Sequence, residues 1–259
     1  MKIRIGHSAD PDDAFMVWAL AAGRVDTRGL DLEPVASDIQ TLNEWALEAR
    51  LEVTALSAGA YPAVADRYLL LPHGASFGEG YGPIVVAREV LDPRGVEIVT
   101  PGPLTTATRV LKRALGEDVR TRDVPFDAVL DEVVSGRAEA GLLIHEGQLT
   151  YAEHGLHKLL DLGVWWQDET GLPLPLGLVG ARRDLDRLQD VSAVLREAIG
   201  AGLANRDEAM QYAMGFGRGI DAATADEFVA MYVTDLTLDM GAAGRKAIEL
   251  LLGFEPEFA

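Results

Sequence analysis

The chain has 259 residues, enough for one large domain or two of ordinary size, with hydrophobic residues at 48% and charged residues at 25%. It has no cysteine, which excludes disulfides, thiolate catalysis and zinc–thiolate sites and fits a reducing, cytoplasmic compartment. A formal charge of −18 argues against a nucleic-acid partner, because phosphates need cations, and it repels an anionic small molecule unless local cations or backbone N–H groups receive it.

The opening MKIRIGHSADPDD carries two cations, but its apolar run is soon broken, so no signal peptide is expected. No apolar run approaches ~18 residues, and no membrane partner is expected. Lys2 to Gly6 reads as the first strand, His7 to Asp13 as a polar loop, and Ala14 to Ala22 as an apolar helix starting at Asp12 or Asp13. Asp10, Asp12 and Asp13 stabilise such a helix start themselves, in competition with a bound anion. Leu30 to Val35 reads as a strand; Ser37 and Gln40 have the spacing of a capping box before a helix carrying Ile39, Leu42, Trp45, Ala46 and Ala49. Leu51 to Leu56 returns to strand and ends at Ser57, and SAGAY (Ser57 to Tyr61) places small residues where a helix would start. Tyr68 to Leu71 is a further strand, followed by a glycine-rich loop, His73 to Gly82, that lacks the order of a dinucleotide fingerprint.

Pro83 to Ala87 and Val96 to Val99 read as buried strands. PGPLTTAT (Pro101 to Thr108) leads into a helix, with Thr105 and Thr106 where hydroxyls and N–H groups converge on a helix start. Phe126, Val129, Leu130 and Val133 mark a helix stopped near Gly136. The apolar strand Gly141 to Ile144 runs into His145, whose ring either caps the strand end or transfers protons near neutral pH. Glu146 would face the opposite way if that strand continued. Lys158 to Leu162 is a short strand; Val164 to Gly177, rich in Trp and Pro, reads as a crossing loop; Leu178 to Gly180 resumes a strand. Helices then follow around Val191 to Ile199, Asn205 to Met214, Ala223 to Tyr232 and Gly241 to Leu252, with GFGRG (Gly215 to Gly219) as a connector.

This order implies an α/β protein of two lobes: a discontinuous first lobe, residues 1–87 plus 180–259, and an inserted second lobe, residues 88–179. Two crossings between lobes make a hinged cleft, and ligands in such folds sit at loops after the carboxyl ends of strands. The first loop, Ser57, Thr105, Thr106 and His145 all fall at such ends. His7 is a second polar candidate near the first loop, while His73, His154 and His157 read as surface residues.

Six landmarks carry a family resemblance: GHSADPDDAFMVWAL, TLNEWALEARLEVTALSAGAY, YGPIVVAR, PGPLTTA, AEAGLLIHEGQLTYAEHGL and DLGVWWQDETGLPLPLG. Over nearly its whole length the chain resembles the 1,4-dihydroxy-6-naphthoate synthase family, the MqnD-type enzymes of the futalosine route to menaquinone. The resemblance implies a two-lobed, periplasmic-binding-protein-like (Venus-flytrap) fold. It also implies a lyase that cleaves cyclic dehypoxanthinyl futalosine to 1,4-dihydroxy-6-naphthoate and dihydroxyacetone, with no metal or organic cofactor. By the same resemblance the general base falls on His145 of the IHE motif, and substrate contacts fall on Ser8, Asp13, Ser57, Thr105 and Thr106. The first loop reads SADPDD where the family pattern reads SPCPND, so Asp10 stands for a cysteine and Asp12 for an asparagine; Ala55 and Gln148 stand where Lys and Arg are familiar.

The expected partner is a small-molecule substrate, and a homodimer is compatible with the sequence. Three other readings stand beside the lyase. One is a divergent paralogue that binds another small carboxylate-type ligand without catalysis. The second is a dehydratase of the chorismate type. The third is a metal site built from Asp10, Asp12 and Asp13.

Overall fold

The computed structural model of the chain describes residues 2–217 and 220–259. The described chain divides into two compact units: residues up to Phe77 with Pro175–Ala259, and Gly78–Leu174. Both are α/β. In chain order the first unit begins with β1 (Lys2–Ser8), α1 (Pro11–Ala21), β2 (Asp31–Ser37), α2 (Ile39–Leu47), β3 (Val53–Ser57), β4 (Tyr68–Leu70) and β5 (Ser76–Gly78). The second unit holds β6 (Ile84–Ala87), β7 (Ile98–Thr100), α3 (Thr106–Leu115), β8 (Thr121–Asp123), α4 (Val129–Val134), β9 (Ala140–Leu143), α5 (Gly147–Thr150), β10 (His157–Asp161) and α6 (Leu162–Thr170). The chain then returns through β11 (Leu174–Arg182) to α7 (Leu188–Ala204), α8 (Arg206–Ala213), α9 (Ala222–Tyr232), α10 (Asp235–Leu238) and α11 (Gly241–Leu252).

The first sheet has the order β2-β1-β3-β11-β4, with β5 paired to β11. β1 runs parallel to both β2 and β3, whereas β11 is antiparallel to β3 and β4. The alternation in β1 buries Ile3 and Ile5, each 3% exposed, against one face. α1 is apolar nearly all round, as a helix enclosed by other helices must be. Its Phe15 and Trp18 pack with Ala198, Ile199, Ala213 and Val229 of α7, α8 and α9. The second sheet has the order β10-β6-β9-β7-β8, parallel among β9, β7 and β8 and antiparallel at β6. Val86, Val99, Val129, Val133, Leu143 and Leu156 form its core. Gly141 in β9 is required there: a Cβ would lie 2.7 Å from Val133 and 2.9 Å from Val129.

Several expectations are corrected. β6 pairs with β9 and β10, so Ile84–Ala87 belongs to the second unit, and the unit boundaries fall at Phe77/Gly78 and Leu174/Pro175 rather than at 87 and 180. β1 extends to Ser8 and α1 begins at Pro11, because proline at the first helical position loses no hydrogen bond there. Ser37 is a strand residue; the N-cap of α2 is Asp38, whose carboxylate accepts the Thr41 N–H at 2.9 Å. The Trp- and Pro-rich stretch does carry the chain from the second unit back to the first, but as a helix and the start of a strand rather than as a loop. Asp161 caps α6 by accepting the N–H groups of Gly163 and Val164, Trp166 is fully buried, and Gly171 ends the helix in left-handed backbone. Pro175 lies in β11 ahead of its ladder with β3, which starts at Gly177. Of the expected connector Gly215 to Gly219, Arg218 and Gly219 lie outside the described residues.

Candidate functional site

In the first unit, three residues close the turn between β1 and α1. Ser8 ends β1, and its N–H donates to Asp13 Oδ2 at 2.5 Å while its hydroxyl donates to the Asp10 carboxylate. Asp10 holds the N-cap position but makes no capping bond with its side chain. Burial pushes the Asp13 carboxyl up to about 7; the Ser8 N–H pulls it down and the Asp10 charge pushes it further up. Asp12 is raised well above the usual carboxylate range, first by burial and then by the charges of Asp13 and Asp10. Among the described residues no group of three or more His, Asp or Glu is arranged to hold a metal ion. Asp10 and Asp13 act here as acceptors for Ser8 at the helix start.

His7 lies beside this turn. Its Nδ1 is 2.9 Å from the Ser8 carbonyl oxygen, which only accepts, so Nδ1 carries the proton. Its ring stands edge-on to Phe216 at 5.8 Å, and burial lowers its pKa. A cavity of about 40 Å³ lies behind the turn, lined by His7, Asp13, Met16, His73, Leu195 and Ile199. His73, expected at the surface, is buried at 2% exposure with Nε2 2.9 Å from Ser192 Oγ. Burial, with Arg196 nearby, pushes its pKa down to about 4. His154 and His157 are exposed.

Ser57 ends β3, beside β1, at the carboxyl end of the same sheet. Its N–H donates to Asn43 Oδ1 at 2.8 Å, and its hydroxyl accepts from Asn43 Nδ2 at 2.9 Å. Asn43 was not among the residues singled out from the sequence. It follows Ile39 by one helical turn and is 1% exposed, a polar side chain on the buried face of α2, and that mismatch was the available signal.

In the second unit, β7 and β9 are parallel neighbours, so the turn to Thr105 and the turn at His145 leave the same edge of one sheet. Thr105 is the N-cap of α3: its hydroxyl accepts the Thr108 N–H at 3.3 Å and donates to the Gly102 carbonyl at 2.9 Å. Thr106 is the first residue of α3 and is buried. His145 stands after β9 in left-handed backbone, with φ of 55°, rather than in a continuing strand. Glu146 belongs to the same turn, since the Gln148 N–H donates to the His145 carbonyl at 3.1 Å. The His145 ring meets Phe126 edge-on, centroids 5.1 Å apart at 77°. A non-glycine residue held at positive φ is uncommon and marks a position fixed by its surroundings. Phe126 was read from the sequence only as a helix residue; no spacing signal ties it to His145.

The structure thus groups Ser8, Asp10 and Asp13 at one turn with Ser57 on the neighbouring strand, and Thr105, Thr106 and His145 at neighbouring strand ends of the second unit. Residues 3–256 match the menaquinone biosynthesis family. A 1,4-dihydroxy-6-naphthoate synthase of Thermus thermophilus is 40% identical over 96% of this chain and 92% of its own length. The enzyme of that name from Streptomyces coelicolor is 35% identical over 96% and 91%. A crystal structure of a protein from Archaeoglobus fulgidus superposes with a TM-score of 0.93, at 45% identity over 97% of this chain and 96% of that one. A Candida albicans protein described as having the generic periplasmic binding protein fold superposes with a TM-score of 0.71 at 12% identity over 98% and 91%, a likeness of fold alone.

Proposed function

The chain belongs to the menaquinone biosynthesis family, and on that premise we propose that it is a carbon–carbon lyase of the 1,4-dihydroxy-6-naphthoate synthase type, with cyclic dehypoxanthinyl futalosine as substrate and His145 as general base. The observation that supports the base is the placement of its ring. A titratable side chain leaves the end of a buried strand in left-handed backbone and is braced edge-on by Phe126.

Cleavage of a carbon–carbon bond beside a carbonyl needs three things. A base takes a hydroxyl proton, that carbon–oxygen bond becomes a carbonyl as the carbon–carbon bond breaks, the pair from the broken bond passes to the neighbouring carbonyl as an enolate, and donors stabilise the oxygen where charge collects. His145 takes the proton in this reading and returns it when the enolate collapses to product. Ser8, Asp13, Ser57 and Thr106 contact the substrate, while Thr105 shapes the turn that presents Thr106. Dihydroxyacetone is the second product. No metal ion enters the scheme.

The test is turnover of purified protein with cyclic dehypoxanthinyl futalosine, product followed by mass, beside His145→Ala and His145→Asn. Wild-type protein is expected to release 1,4-dihydroxy-6-naphthoate. Both variants are expected to lose turnover by at least about a hundredfold, the usual worth of a positioned base. Asparagine tolerates left-handed backbone, so His145→Asn should keep the melting temperature. Normal turnover in either variant would remove the base role. Ligand binding without product in the wild type would point instead to a non-catalytic paralogue.

A further inference from the structure

Two serines end the neighbouring parallel strands β1 and β3, and each has its hydrogen-bonding direction fixed by one buried side chain. At Ser57 the logic starts from the backbone. The Ser57 N–H can only donate, so the Asn43 atom facing it is the carbonyl oxygen. The other end of that amide is then NH₂, and it donates to Ser57 Oγ. The Ser57 hydroxyl hydrogen is left for something else, which makes Ser57 a donor toward a ligand.

At Ser8 the direction is opposite. An ionised carboxylate only accepts, so the Ser8 hydroxyl gives its one hydrogen to Asp10. What remains on Ser8 Oγ is lone pairs. Asp10 is 1% exposed, and its charge is felt by Asp12 and Asp13. Ser8 and Ser57 are themselves 5% and 4% exposed, so an unmatched group at either is not rescued by bulk water.

We propose that Asp10 and Asn43 are positioning residues that set Ser8 as an acceptor and Ser57 as a donor, so that the first unit selects a ligand segment carrying both a hydroxyl and a carbonyl or ether oxygen and rejects a carboxylate at Ser8. A carboxylate offers no hydrogen to Ser8 and meets the Asp10 charge behind it. A hydroxy-ketone or polyol segment supplies both halves. The inference deepens the lyase reading and rests on it in taking Ser8 and Ser57 as substrate contacts.

The two settings can be reversed without removing a side chain. Asn43→Asp keeps an acceptor for the Ser57 N–H but replaces the amide donor with a second acceptor, so the Ser57 hydroxyl turns inward. Asp10→Asn removes the charge and supplies an amide hydrogen that releases the Ser8 hydroxyl. The experiment titrates isotope-labelled full-length protein, observed by its amide resonances, with dihydroxyacetone and separately with acetate. Dihydroxyacetone is expected to shift Ser8 and Ser57, and acetate is expected to leave Ser8 unmoved. Asn43→Asp should weaken dihydroxyacetone at least tenfold, about 1.4 kcal/mol. In a Ser57→Ala background it should add nothing, because it acts through that hydroxyl. Asp10→Asn should gain acetate binding at Ser8, which a merely structural loss does not produce. If Asn43→Asp does not fold, Asp10→Asn and Ser57→Ala carry the test.

Acetate reaching Ser8 of the wild type as strongly as dihydroxyacetone would overturn the proposal. So would dihydroxyacetone leaving both serines unshifted, or a folded Asn43→Asp with unchanged affinity. None of these readouts needs turnover, so a protein that fails to make dihydroxynaphthoate yet shows these shifts sinks the lyase reading alone.

Discussion

The carboxyl of Asp13 accepts the Ser8 N–H, yet burial and the Asp10 charge push it up to about 7, above its unfolded value. A raised carboxyl means the folded state binds more protons than the unfolded one across that window. Its stabilising contribution is therefore complete below the unfolded pKa and lost as pH rises through about 7. His73 works the other way: its pKa is lowered to about 4, so its contribution is present above the unfolded value and lost as pH falls toward about 4. Asp13→Asn keeps an acceptor for Ser8 and removes only the titration. The variant should gain stability over the wild type between about pH 4 and about pH 8, by on the order of a few kcal/mol. Urea unfolding of both proteins at several pH values reads this directly; a difference independent of pH would refute it. At this scale the sequence showed which chemical types were present but not how they were held. A histidine after an apolar strand could be read at His145, but its left-handed backbone and its contact with Phe126 come from tertiary packing. His73 looked like loop surface because the residues that bury it, such as Ser192, are far along the chain.

Helices in the carboxyl-terminal part were legible because their apolar stripes have the helical period: α9 and α11 lie within about a residue of where the pattern puts them, and α7 extends beyond its Val191 to Ile199 stripe at both ends. α6 was not. Its sequence, LGVWWQDET, mixes apolar and acidic residues around the helix, and the prolines that follow mask its end. What fixes α6 is docking. A Cβ on Gly163 would lie 1.9 Å from the Tyr81 carbonyl oxygen, so the start of the helix rests directly on the Tyr81–Gly82 backbone. Farther along, Trp166 is enclosed, its Nε1–H donates to the Pro173 carbonyl at 3.1 Å, and the Arg113 guanidinium of α3 lies 5.0 Å over its ring. Backbone cannot retreat as a flexible side chain can. Gly163→Ala is therefore expected to cost about 3 kcal/mol or more, at the upper end for overpacking. A thermal melt indistinguishable from wild type would show that this docking is not what holds α6.

The second unit is continuous in sequence from Gly78 to Leu174, whereas the first is assembled from two distant stretches. That difference has a physical consequence. The second sheet closes entirely within its own segment, with β6, β7, β8, β9 and β10 all paired to one another, and it has a core of its own. In the first sheet β11 lies between β3 and β4, so the central hydrogen-bond ladders wait for residues 177–182. The tail adds to the same edge: the Leu70 N–H donates to the Glu257 carbonyl, the Ala259 N–H donates to the Leu70 carbonyl, and Arg245 lies 3.9 Å over the Phe258 ring. The alternation of strand and helix made the two-part organisation readable, but the switch between units was misplaced because PIVVA is an apolar strand that would suit either sheet. Only its partners, β9 and β10, decide the matter. A fragment of residues 78–174 is therefore expected to fold alone with a cooperative melt, and a fragment of residues 1–77 to stay unfolded. Circular dichroism and thermal unfolding of the two fragments separate the cases. If 1–77 melts cooperatively by itself, the first unit does not depend on β11. If 78–174 is unfolded while the whole chain is folded, its own core is not sufficient, and the continuous segment is a unit of contact but not of stability.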